Sequence, residues 1–277
     1  EPGRPTLRYV AVDAVGRAQT RADIFATHQP MVRDVGFTRN CIIVLDLPVT
    51  LQPQQVPGHT FPYFWNDQQA PRIGLLPRNG DLDGLSWFEA PACYVFHIVN
   101  AYEAEGGAVV VDVVRHPRIH EHDRQGPNEG TPVLVRWTLD RARGRLAEHV
   151  LDDHGVEFPR FDDRLGGQNY RYAYTAHWWG DKVSSGPAYK HDVRSGRTVV
   201  QDFGPGHASL EPVFVPRSGA TDEDDGYVMA YVFDAERNAS DVVILSAQDF
   251  AGPPLAVVEL PVRVPFGFHG GWVPDRP

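Results

Sequence analysis

Apolar and polar residues alternate along most of the chain with a period of two, the spacing of a strand buried on one face. LRYVAVDA (7–14), IIVLDLPV (42–49), YVFHIVNA (94–101), AVVVDVVR (108–115), VLVRWTLD (133–140), YVMAYVFD (227–234), DVVILSAQ (241–248) and LAVVELPV (255–262) all read as strands. Val, Ile, Tyr, Phe and Trp fill these runs because branched and aromatic side chains suit a pleated surface, while Gly, Pro, Asp and Asn bound them. No run of ten residues carries an apolar face at helical spacing. Hairpins are predicted over 13–19, 139–151 and 190–203, with Gly16, Gly144 and Gly196 at their turns. Longer irregular stretches are predicted at 51–70, 116–132, 161–169 and 217–226. The pattern predicts an all-β chain of successive antiparallel meanders, and radial repetition of such meanders gives a β-propeller.

With 42% hydrophobic residues, the chain can bury a core and is no disordered segment. Its 277 residues fit one all-β domain, so 1–277 is read as a single unit. A formal net charge of −10, with no Lys/Arg cluster, excludes a nucleic-acid binder. Cys41 and Cys93 lie inside apolar runs and are expected to be buried free thiols, which fits a reducing, cytoplasmic compartment. No apolar stretch has the length of a transmembrane helix, and no signal peptide is visible. The aromatic segment 61–65 (FPYFW) is the candidate for peripheral membrane contact, with a buried aromatic loop as the more economical reading. The chain opens at Glu1 and its first methionine is Met31, so a removed N-terminal portion or a fragment is expected.

Histidine is the residue type with chemistry to place. HPRIHEH (116–122) invites a zinc reading by spacing, but its Pro- and charge-rich surroundings predict a surface loop. The acidic run Asp222 to Asp225 is expected to be a solvated turn. His97 lies within an apolar strand and His269 near the C-terminus; on residue type alone each is a metal ligand or a satisfied core histidine.

The words around these two histidines carry a family resemblance. FHIVNAYE (96–103) resembles the Phe-His-x-x-Asn-Ala-x-Glu signature of the carotenoid cleavage oxygenases. VPFGFHGGWVP (264–274) resembles that family's closing Gly-Phe-His-Gly segment. VEFPRFD (156–162) with YRYAYT, and LEPVFVPRSG (210–219) with the run at 222–250, follow family segments in order. Upstream, DVGFTRNCIIVLDLPV (34–49) and PRIGLLPR (71–78) do the same. Ordered matches across the whole chain are far more specific than any one short motif.

The resemblance implies a seven-bladed β-propeller with Fe(II) on its axis, held by four histidines and backed by three glutamates. It implies His97 and His269 as iron ligands, and Glu157 and Glu211 as carboxylates that hydrogen-bond ligand rings. That pairing is chemically apt, because a neutral imidazole suits Fe(II) and its other N–H needs an acceptor. The resemblance further implies that the N-terminal blades, one ligand histidine and one glutamate lie upstream of this chain.

At one ligand position the chain departs from the pattern. Where the family reads His-Asp-Phe-x-x-Thr, this chain reads Arg33-Asp34-Val35-Gly36-Phe37-Thr38. A guanidinium stays protonated and has no lone pair for a metal. His28, five residues earlier, falls on the opposite strand face and would need a bulge to substitute.

By resemblance the activity is cleavage of a conjugated C=C bond of a carotenoid, apocarotenoid or stilbenoid by an Fe(II) enzyme using O₂. Phe61, Tyr63, Phe64, Trp65, Trp178 and Trp179 are candidates to line an apolar tunnel, with ordinary packing as the plainer reading of each. The alternative is a degenerate, non-catalytic member that binds a polyene or phenolic ligand, and Arg33 motivates it.

Overall fold

The computed structural model describes residues 6–52, 61–123, 126, 128–178 and 186–274. Strand β1 (Thr6–Val12) pairs antiparallel with β2 (Ala18–Phe25) around the turn at Gly16, which has a φ of 81°. Next come β3 (Gly36–Phe37), β4 (Cys41–Asp46), the short ribbon of β5 (Val49–Leu51) with β6 (Tyr63–Trp65), then β7 (Arg72–Pro77) and β8 (Ser86–Glu89). Strands β3, β4, β7 and β8 form one antiparallel sheet.

Three further sheets follow in chain order. The first holds β9 (Tyr94–Glu103), β10 (Val109–His116), β11 (Val133–Asp140) and β12 (Arg145–Asp152). The next holds β13 (Val156–Phe161), β14 (Tyr172–His177), β15 (Ala188–Asp192) and β16 (Arg197–Gln201). The last is built on β17 (His207–Ser209) and β18 (Val213–Pro216), both paired to β19 (Gly226–Asp234), then β20 (Ala239–Ser246) and β21 (Ala256–Glu259). Each is a meander, as the sequence predicts, and the turns at Gly144 and Gly196 fall where expected. Among the described residues no helix is long and apolar enough to cross a membrane.

Apolar cores fill the spaces between neighbouring sheets, which is how successive meanders bury both faces. Ile73, Leu75 and Phe88 meet Tyr94, Val113 and Trp137 in the first interface. Tyr170, Val156 and Tyr189 meet Val114 and Leu134 in the second. Tyr174 and Phe250 meet Phe214, Val228 and Leu245 in the third. Cys41 and Cys93 are both buried and free.

The acidic run corrects the expectation of a merely solvated turn. Glu223 accepts the backbone N–H groups of Arg171 and Tyr172, each at 2.7 Å. Asp224 pairs with buried Lys190 at 2.6 Å, and Asp225 with Arg217 at 2.8 Å. Glu223 and Asp224 tie the last two sheets together, while Asp225 closes the β18–β19 turn, and unpaired acids could not be half-buried at that cost.

The β3 edge packs tightly on β9. A Cβ on Gly36 would lie 3.0 Å from Ile98 Cδ1 and 3.1 Å from Ile43 Cγ1. Trp137 is the largest fully buried side chain among the described residues, and its indole N–H donates to Glu148 at 2.9 Å. Trp137→Ala is expected to destabilise the fold by about 3–5 kcal/mol in chemical denaturation. A loss below about 1 kcal/mol would show that this interface is not close-packed.

Candidate metal centre

The leading strands of three sheets pack on one another, β3 and β13 against β9, and β18 of the last sheet packs against β13. Where they meet, they bring residues far apart in sequence to one place. Arg33 precedes β3, His97 lies on β9, Glu157 on β13, and Glu211 joins β17 to β18. The C-terminal segment delivers His269 to the same spot, with its ring centroid 4.9 Å from that of His97 and the two rings near perpendicular.

Local irregularity aims these side chains. The β9–β10 register shifts twice between Asp112 and Arg115, opposite the part of β9 that holds His97. Such bulges redirect a side chain without ending the strand. On β13 the register shifts between Glu157 and Arg160, and Phe158 takes a φ of 55°. A non-glycine residue is held there only when its surroundings require it. Here the Phe158 N–H donates to Glu157 Oε2 at 2.6 Å.

Glu157 organises the first half of the site. It is 2% exposed and accepts from His97 Nδ1–H at 2.6 Å and from His116 Nε2–H at 2.7 Å, one histidine on each oxygen. Burial pushes its carboxyl up, but the hydrogen bonds from His116 and His97 outweigh burial and hold it down to about 2. An ionised carboxylate only accepts, so the neutral His97 ring carries its proton on Nδ1 and presents the Nε2 lone pair. That Nε2 is buried and has no hydrogen-bond partner among the described residues.

Glu211 organises the second half. Its Oε1 accepts from His269 Nδ1–H at 2.9 Å and its Oε2 from the Gly270 N–H at 2.8 Å. Arg160 donates to the Gly270 carbonyl at 2.7 Å and lies 3.5 Å from Glu211. His269 therefore also carries its proton on Nδ1, and its Nε2 accepts from Arg33 Nη2 at 2.8 Å. A cleft of about 300 Å³ opens beside it, lined by Leu210, Met229, Tyr231, Phe268 and Trp272.

Arg33 is fixed by its neighbours. Asp34 accepts the Ile98 N–H on one oxygen and the Val35 N–H on the other, both at 2.8 Å. Tyr94 donates to the Met31 carbonyl at 3.1 Å. This clamps the segment alongside β9, one residue from His97, and sets Arg33 beside His269. His28 is elsewhere, donating from Nδ1 to Gln69 at 2.7 Å, and does not replace Arg33.

The surface-loop expectation for 116–122 is corrected. His116 is 0% exposed and His120 is also buried, while His122 is exposed beside Glu121. The three do not converge on one point: β10 carries His116 inward to Glu157, and the chain turns at His120, whose φ is 55°. Strand β10 is buried along nearly its whole length, His116 included, so alternation gave no signal for His116. Asn100 and Glu103 of the same motif are structural. Asn100 donates to the carbonyls of Leu165 and Gln168, and Glu103 accepts from Thr38 and from the Asn40 N–H, so each anchors a neighbouring sheet.

Among the aromatic candidates, Phe64 and Trp65 are core residues, and Trp178 packs edge-on against His116. Phe61, 41% exposed, and Tyr63 sit together near His120. Trp179 lies outside the described residues. Phe158 stands beside both histidines, with centroids 5.6 Å from His97 and 6.3 Å from His269, and it was not among the sequence candidates.

The donor set can be judged on its chemistry. Two imidazoles, each held by a carboxylate on Nδ1, fit a divalent transition metal through Nε2. The guanidinium of Arg33 does not fit that donor set. Fold and site together define a meander propeller with a carboxylate-buttressed histidine pair at the meeting of its inner strands.

Comparison with known proteins places the chain. Residues 1–274 match the model of the retinal pigment epithelial membrane protein family. The chain is 34% identical to a carotenoid cleavage oxygenase of Mycobacterium tuberculosis, across 97% of this chain and 63% of that protein. It is 30% identical to an isoeugenol monooxygenase of Pseudomonas nitroreducens, across 98% of this chain and 60% of that protein. A solved variant of Synechocystis apocarotenoid oxygenase superposes with a TM-score of 0.84 at 28% identity, covering 97% of this chain and 58% of that one. A cobalt-substituted form of the Synechocystis oxygenase gives 0.83 at 27% identity, with the same coverage. The chain belongs to this carotenoid cleavage oxygenase family. It has the family's all-β propeller fold and spans roughly three-fifths of the length of these relatives.

The Glu157 arrangement has a measurable pH signature. Its folded-state value near 2 lies below the ordinary 4.5, so its stabilisation is complete above about pH 4.5 and is lost as pH falls through 2. Glu157→Gln is expected to cost about 3 kcal/mol at neutral pH, because an amide cannot accept from both histidines. The gap between native and variant should shrink from about pH 4.5 towards pH 2 in denaturant titrations. A gap that is constant with pH would contradict an ionised Glu157.

Proposed function

We propose that the protein carrying this chain cleaves a conjugated C=C bond of a carotenoid, apocarotenoid or stilbenoid, each alkene carbon taking one oxygen atom of O₂ to give two carbonyl products. The observation that supports this most is the buried Nε2 of His97, without a hydrogen-bond partner among the described residues, on a ring oriented by Glu157 beside that of His269. His97 and His269 would hold Fe(II), the metal suited to neutral imidazole donors. Bound iron supplies the activation of O₂.

The chain's own residues do the rest. Glu157 and Glu211 fix the tautomer and direction of the two rings. Phe158 and the apolar cleft beside His269 offer a polyene or aryl ring van der Waals surface and exclude water. The 1–277 unit is read as part of a single propeller domain, and its buried free thiols suit the cytoplasm. Exposed Phe61 is the residue through which a membrane holding such substrates would be touched.

Arg33 favours a second reading, in which the protein binds the apolar ligand without turnover. The two are separated by incubating Fe(II)-loaded protein with a stilbenoid and with an apocarotenal, following O₂ uptake and aldehyde formation together. Cleavage predicts one aldehyde pair per O₂ consumed, abolished in His97→Ala. Saturable ligand binding with neither O₂ uptake nor aldehyde would overturn the oxygenase reading and leave the binding one.

A further inference from the structure

Arg33 does more than fail to be a ligand. We propose that it is a reversible cap on the candidate metal centre: its guanidinium occupies the Nε2 lone pair of His269, and a divalent metal binds there only by displacing it. The inference rests on the reading of His97 and His269 as metal-facing residues.

Three observations carry it. Glu211 holds His269 Nδ1–H, so Nε2 is the one nitrogen of that ring with a lone pair to give, and Arg33 Nη2 donates to it at 2.8 Å. Metal and guanidinium therefore compete for a single pair of electrons. Second, the guanidinium has no stronger claim on it. Among the described residues Arg33 pairs with no carboxylate, and both oxygens of adjacent Asp34 are engaged by backbone N–H groups. Its further contact is with the Phe268 ring, 5.7 Å away on the same segment as His269. Third, the backbone keeps the side chain in reach: Met31 is tied to Tyr94, and Asp34 to Ile98 beside His97.

The two histidines then differ. His97 Nε2 is buried and uncapped, while the His269 side chain, 38% exposed, carries the cap. A metal held by His97 would gain His269 as a second ligand only by displacing Arg33. Removing the cap costs a hydrogen bond to a charged group, weakened by its exposure, and brings a dication near a guanidinium.

The test is a Co(II) titration of the purified protein under nitrogen, read by visible absorption of the bound ion and independent of any substrate. Native protein is compared with Arg33→Leu, which removes the donor and the charge and adds no ligand, and with Arg33→His, which adds an imidazole. Arg33 is exposed, so neither change disturbs the core. The cap predicts that Arg33→Leu binds Co(II) about five- to tenfold more tightly than native protein. If Arg33→Leu equals native protein while Arg33→His binds tightly, the deficit is a missing ligand and the cap is overturned. If Arg33→His also fails to bind, the metal-facing reading of His97 and His269 falls, and the cap with it.

Discussion

A carboxylate buried as deeply as Glu157 would ordinarily take up a proton or pull the structure open. It does neither, because two imidazole N–H groups and one backbone N–H converge on its two oxygens. The positive φ of Phe158 makes the third bond possible, and the bulges of β9 and β13 bring the partners together. This one acceptor links β9, β10 and β13, so the joint between two meander sheets and the orientation of His97 are the same interaction. Glu211 repeats the device on a looser scale, seating His269 and Gly270 of a segment that is otherwise largely exposed.

The signature around His97 divides its labour. His97 points to the meeting of the inner strands, Asn100 holds the loop at 165–168, and Glu103 holds the turn at Thr38 and Asn40. Chemistry and inter-sheet anchoring thus share one strand. Arg33 enters this arrangement from the neighbouring sheet through Asp34 and Gly36, both of which contact β9. The identity at position 33 can therefore change without loosening the fold, since the clamp is made by its neighbours.

Much of this was legible in the sequence. Period-two runs located β1, β11, β19 and β20 closely, because half-buried strands write their burial into alternation, while β9 and β10, buried almost throughout, stood out by their runs of branched and aromatic residues. The run at 255–262 shortened to Ala256–Glu259, with Leu260 and Val262 still bonded to Ser240 on either side of Pro261, outside the regular ladder. Strands such as Arg72–Pro77 and Tyr172–His177 were not read from pattern, since they are buried on both faces and do not alternate. At the site, His97, His269, Glu157, Glu211 and Arg33 came from family words, and the structure brings all five together. His116 was missed because its sequence neighbours are those of a loop; only the pairing of β10 with β9 shows it turned inward. Phe158 was missed because backbone strain leaves no mark on hydrophobic periodicity.

The central claim is that buried carboxylates set the tautomers of the histidines and so decide which nitrogens face the site. Long-range 1H–15N correlation spectra of protein labelled at histidine nitrogen test it directly, at neutral pH and without added metal. The account predicts His97 protonated on Nδ1 with a bare Nε2, and His116 protonated on Nε2. A proton found on His97 Nε2 would contradict it, because no lone pair would then face His269.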